Sequence, residues 1–113
     1  MNSITDFEEL KREILRRLKP LDPEKVILFG SFAYGSPTEH SDIDLYVVTK
    51  DDFMPANFRE KMEVKLKVAR QLRDLQRVIP IDIITHTKKM YEKFVELDSS
   101  FAKEIFQKGI RLI

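Results

Sequence analysis

Asp42, Asp44 and Asp82 are the residues whose type and spacing could do chemistry. The stretch Ser41-Asp42-Ile43-Asp44-Leu45 predicts a strand start, where alternation puts both carboxylates on one face and turns Ile43 and Leu45 to the core. Two adjacent carboxylates repel unless a cation neutralises them, and hard divalent ions such as Mg²⁺ prefer oxygen donors. Alone, an Asp-x-Asp is also what a solvated strand edge looks like. Asp82 changes the balance: it is the one ionisable residue in the apolar run Pro80-Ile81-Asp82-Ile83-Ile84, where an unpaired charge is costly, so it calls for a partner or a metal. Gly30-Ser31 adds a turn that allows close backbone approach and, at the start of a short helix, offers amides to a phosphate.

These residues need a scaffold that brings them together. Phe7, Leu10, Ile14, Leu15 and Leu18 recur at helical spacing, so a first amphipathic helix is expected from about Thr5 to Leu18, capped by Ser3 or Thr5 and stopped by Pro20. Lys25-Val26-Ile27-Leu28-Phe29 is a continuous apolar run that predicts a central strand covered on both faces. A short helix is expected from Ser31 to about Tyr34, then a turn-rich loop, then a second strand from about Asp42 to Val48. Asn57, with Glu60 three residues on, opens a long helix predicted to bury Phe58, Met62, Leu66, Ala69, Leu72 and Leu75. A third strand is expected from Val78 to Ile84, with Pro80 near its start.

The stretch from Thr87 to Gln107 reads as two amphipathic helices stopped by Gly109, and Ile110–Ile113 as a terminal strand or a tail. The order α-β-(α)-β-α-β-α-α argues an α/β (α+β) domain, with a small mixed sheet of three to four strands packed by helices. If the long helix is a right-handed crossover, strands two and three are parallel and Asp82 lies beside the Asp42/Asp44 face, where three carboxylates could bind two metal ions. For Gly30-Ser31 to face Asp42 and Asp44, strands one and two must be antiparallel.

Composition sets outer limits. At 113 residues and 42% hydrophobic content, residues 1–113 make one domain with one core. Basic residues number 20 and acidic ones 19, so no bulk field draws the chain to nucleic acid or anionic lipid. The sequence has no cysteine, which excludes disulfides, thiolate metal sites and cysteine nucleophiles and agrees with a cytoplasmic protein. No apolar run approaches the roughly 18 residues that a membrane span requires. His40 and His86 read as loop residues, and the Lys and Arg residues of the long helix as a solvated face. Phe94, Phe101 and Phe106 read as core, or as an apolar strip for a partner or a second copy of the chain.

Gly30-Ser31, ten residues from Phe32 to Ser41, then Asp42-Ile43-Asp44 and a later acid in a strand resemble the signature of the DNA polymerase beta-type nucleotidyltransferase superfamily. The fuller Gly-Ser-x-Ala-x-Gly wording, with Ser-Asp-x-Asp-Leu after it, is similar to that of the minimal nucleotidyltransferase (MNT) branch, which includes antitoxins of HEPN/MNT modules. The resemblance implies transfer of a nucleoside monophosphate, AMP from ATP in the leading reading, to an acceptor hydroxyl with release of pyrophosphate. Asp42, Asp44 and Asp82 would then be catalytic and would ligate two Mg²⁺ ions. Gly30, Ser31, Tyr34 and Ser41 would contact the nucleotide, and a HEPN-type toxin would be the partner and acceptor. The alternative is a catalytically weak nucleotide-binding module that neutralises a partner by binding it. The chain departs from the branch at Tyr34, where a basic residue is common; Lys25, Lys50 and Arg59 are the candidate substitutes.

Overall fold

The computed structural model describes residues 7–30, 33 and 43–113. Its elements are α1 (Phe7–Leu18), β1 (Lys25–Phe29), β2 (Ile43–Val48), α2 (Phe58–Gln76), β3 (Ile81–His86), α3 (Lys88–Leu97), α4 (Ser100–Lys108) and β4 (Ile110–Arg111). A short 3₁₀ turn, Lys19–Leu21, follows α1 and ends on Asp22 in a left-handed conformation at φ 49°. The caps expected at Ser3 or Thr5, and the short helix expected from Ser31 to Tyr34, lie outside the described residues.

The strands form a four-stranded sheet in the order β3-β2-β1-β4. β1 runs antiparallel to β2 with Phe29 opposite Asp44, and β2 runs parallel to β3 with Asp44 opposite Asp82. Both pairings are those expected from the need to bring the acids together. β4 adds an antiparallel edge on β1, which makes the terminal stretch a strand rather than a tail.

Alternation along the strands divides the core between two faces. Val26, Leu28, Ile43, Leu45 and Val47 face α1 and α2 and pack with Leu10, Ile14, Val68 and Leu72. Ile27, Phe29, Tyr46 and Val48 face the other way, against Tyr91, Phe94, Ile105 and Phe106 of α3 and α4. Because β1 and β2 are covered on both sides, their apolar character is continuous rather than alternating.

Two elements differ from expectation. α2 buries Val64, Val68, Leu72 and Leu75, whereas Phe58 is 75% exposed and Leu66 is 38% exposed. The helix therefore presents the Val64, Val68, Leu72 and Leu75 row to the sheet, with Leu72 and Leu75 buried as expected, and Phe58 and Leu66 lie on its outer side. Asn57 caps it as expected, its side chain accepting from the Glu60 amide at 3.0 Å.

β3 begins at Ile81 rather than Val78. The amides of Val78 and Ile79 donate back to the Leu75 carbonyl at 3.0 Å, prolonging the end of α2, and Pro80 has no amide to give. β3 then continues to His86, which pairs with Val48, so His86 is a strand residue and not a loop residue. The helical stretch after Thr87 breaks at Asp98, which is left-handed at φ 48°, and Ser99 caps α4 by accepting from Ala102. Among the described residues no helix is long and apolar enough to cross a membrane.

Candidate functional site

Phe29 of β1, Asp44 of β2 and Asp82 of β3 are successive register partners, and they form one row across the end of the sheet where β1 stops. Paired residues of neighbouring strands point to the same side, so Asp44 and Asp82 share the face that carries Phe29 and Tyr46. The strand spacing holds the two backbones about 4.8 Å apart. Ile43 and Leu45, fully buried on the opposite face, fix the orientation of β2 and with it the direction of Asp44.

Asp82 is solvent-exposed, not enclosed in an apolar strand as the Ile-rich sequence suggested. The reason is topological: β3 is an edge strand, and Asp82 sits near its first residue. Its neighbours are apolar because Ile81 and Ile83 join the core on the α1 and α2 side and Ile84 joins the other.

Gly30, directly after β1, supplies the third part of the arrangement. Its φ is +83°, which L side chains rarely adopt, and a Cβ added there would collide with Asp44 Oδ2 and lie 3.1 Å from Asp44 Cγ. The Asp44 carboxylate occupies the space that any side chain at position 30 would need. The Ala33 amide donates to the Gly30 carbonyl at 3.0 Å. Ser31, Tyr34, Ser41 and Asp42, which complete the expected site, lie outside the described residues, as does His40.

A cleft of about 600 Å³ opens on this row and takes in Gly30, Asp44 and Asp82 on the sheet, Lys65 on α2, and Phe101 and Glu104 on α4. Phe101 meets Phe29 edge to face, with ring centroids 5.7 Å apart. The last three residues were not expected here. Lys65 read as part of a wet helix face, Phe101 as core or interface, and Glu104 was not singled out; the signal available was the Phe101 and Glu104 spacing of three, which places both on one side of a helix.

The cations proposed as substitutes for a basic residue at Tyr34 are elsewhere. Lys25 pairs with Val48 at the opposite end of the sheet and lies over the Tyr91 ring, 5.4 Å from its centroid. Lys50 follows β2 at that same far end, and Arg59 lies 3.7 Å from Glu63 in the first turns of α2. Lys65 is the Lys or Arg that lines the cleft among the described residues.

The donor set fits a hard divalent ion. Two carboxylates side by side on paired strands offer oxygen ligands, and Gly30 gives Asp44 room that a side chain would take. Among the described residues no group of three His, Cys, Asp or Glu side chains forms a metal cluster, and Asp42 is outside them.

His86 has a structural place. Its Nδ1 lies 2.8 Å from the Tyr46 hydroxyl, and its ring meets Tyr46 and Phe94 edge to face. Burial, with a smaller effect from the Lys61 charge, holds its pKa down to about 4, so the ring is neutral and its nitrogen can accept. Burial, and secondarily Tyr91, pushes the Tyr46 phenol upward, so it stays protonated and can donate.

Asp44 and Asp82 on paired strands, a left-handed glycine and a mixed sheet between helical layers accompany a match of residues 8–112 to the family model described as nucleotidyltransferase domain. The chain belongs to the nucleotidyltransferase domain family. It is 31% identical over 105 residues to a Methanocaldococcus jannaschii protein provisionally named a protein adenylyltransferase, covering 93% of this chain and 100% of that relative. Among solved structures it resembles a toxin-antitoxin crystallised with AMP-PNP, at TM-score 0.56 and 19% identity over 91% of this chain and 72% of that one. It also resembles a mutant of the toxin-antitoxin MntA-HpeT, at TM-score 0.53 and 16% identity over 91% of this chain and 71% of that one. At these identities the likeness to the two structures is one of fold.

Proposed function

We propose that the chain is a Mg²⁺-dependent nucleotidyltransferase that moves AMP from ATP to a hydroxyl on a partner protein, a HEPN-type toxin being the candidate acceptor. The observation that carries this is the Asp44 and Asp82 pair with Gly30 closed against Asp44. Residues 1–113 act as one nucleotidyltransferase domain in this reading. A bond forms between the acceptor oxygen and the α-phosphorus, the bond from that phosphorus to the bridging oxygen breaks, and pyrophosphate leaves. Asp82 takes the hydroxyl proton or directs it to water, and Asp44, with Asp42, anchors the cationic side of the site. Gly30 and Ser31 bring backbone amides to the triphosphate, with Tyr34 and Ser41 beside it. Divalent ions held by Asp42, Asp44 and Asp82 would supply positive charge to the attacking and leaving oxygens of an in-line displacement.

The supports are the family, the adenylyltransferase name of the archaeal relative, and the AMP-PNP and toxin partner of the fold neighbour. The experiment is transfer of label from the α-phosphate of ATP to the protein encoded beside this chain, with Mg²⁺ present. Label should appear on that partner, and Asp44→Asn and Asp82→Asn should each lower the rate by about a hundredfold or more while the circular dichroism spectrum is kept. Transfer at the unaltered rate by either variant would remove the proposed roles.

A further inference from the structure

The cleft has a second wall that the carboxylates do not use. Phe101 and Glu104 project from α4 one turn apart and line the same 600 Å³ space as Gly30 and Asp44. Phe101 is 44% exposed although its ring is held edge to face by Phe29 at 5.7 Å and by Phe94 at 6.2 Å. A large ring immobilised by two others and still open to a cavity is a stacking surface that is already formed before any ligand arrives.

Glu104 makes no hydrogen bond or ion pair among the described residues, and a carboxylate offers acceptors only. It therefore repels phosphate and suits a group that donates.

Resting on the reading of this cleft as a nucleotide site, we infer that α4 is its nucleoside wall: Phe101 stacks on the base, and Glu104 accepts hydrogen bonds from the ribose hydroxyls. The division follows from charge. The triphosphate belongs beside Gly30 and Lys65 and near the cations that Asp44 and Asp82 can hold, because those are the parts of the cleft that tolerate an anion. The uncharged, donor-bearing and aromatic part of the same molecule is what the α4 side can accept. Side chains three apart on a helix stand about 5–6 Å from one another, which is the scale of a base and its adjoining sugar. Stacking is tolerant of base identity, so the wall contributes affinity for nucleosides generally.

The test compares two probes on the full chain with Mg²⁺: ATP, and inorganic tripolyphosphate, which lacks the nucleoside. Calorimetry should show Phe101→Leu and Glu104→Gln each weakening ATP by about tenfold, as loss of one aromatic stack does, with tripolyphosphate binding unchanged. Phe101→Leu keeps most of the volume against Phe29 and Phe94, and a melting curve on each variant identifies any loss of fold. Glu104→Gln keeps the shape and leaves the core intact. Equal weakening of both probes, or no weakening of either by Glu104→Gln and Phe101→Leu, overturns the nucleoside wall while leaving the phosphate end in place. Failure of the unaltered chain to bind either probe overturns both the wall and the nucleotide reading beneath it.

Discussion

His86 is the residue whose environment the sequence hid most completely. It is a lone histidine near a turn in the one-dimensional record, yet pairing with Val48 carries it into the Tyr46 and Phe94 cluster. Its folded pKa, about 4, lies below the ordinary value of 6.5 because burial disfavours the charged ring. The unfolded chain therefore takes up a proton near 6.5 and the folded chain only near 4, so this contribution to stability is present above 6.5 and is lost as pH falls through that window. Denaturant titrations across the window should show His86→Gln with a flatter pH dependence than the unaltered chain; an identical slope would mean that the ring takes up its proton in the fold as readily as in the unfolded chain. Asp82 carries a related lesson. Its isolation among isoleucines suggested a charge enclosed in an apolar strand, but edge position leaves it exposed and register sets it beside Asp44.

At the scale of elements, strands were more legible than helix faces. β1 was read to its exact bounds because a five-residue β-branched and apolar run beside Gly30 has few other uses. The rotation of α2 was read only toward its end, where Leu72 and Leu75 are buried as expected; before them Phe58, Met62, Leu66 and Ala69 offer one apolar row and Val64 and Val68 another, and only the surface of the sheet decides between them. Val68 is fully buried and Leu66 is 38% exposed. Val68→Ala should cost about 2 kcal/mol in denaturant unfolding and Leu66→Ala no more than about 0.5 kcal/mol, the reverse of the order that residue size suggests. Equal costs would place both rows at the core. The parallel pairing of β2 with β3 was legible for a different reason: a long helix between two strands leaves few other connections open.

For the whole molecule, two helical layers cover opposite faces of the sheet, and within one layer Arg17 ties α1 to α2. Its Nε and Nη2 donate to Asp74 at 2.9 Å each, and Nη1 contacts Glu13. Hydrogen bonds from Arg16 and Arg17 hold Glu13 down to about 2, and Arg17 does the same to Asp74. Both carboxylates titrate below their ordinary values of 4.5 and 3.8, so what they contribute is complete above those values and disappears as pH falls toward about 2. Arg17→Gln should lower the melting midpoint by a few degrees at neutral pH and flatten the acid limb; a midpoint that does not move would show the brace to be solvent-screened. No such pairing could be read in advance, since Arg17 and Asp74 are far apart in sequence and each sits in a run of like-looking charges. The register of Asp44 with Asp82 has a further consequence, in time rather than in space. Gly30 and Asp44 come together through a contact between neighbouring strands, but Asp82 reaches them only after the chain has passed through all of α2 and closed a long loop, the slower kind of step in folding. A chain under synthesis thus holds the glycine and the first carboxylate before the second exists, and the pair of acids is assembled only as the third strand docks.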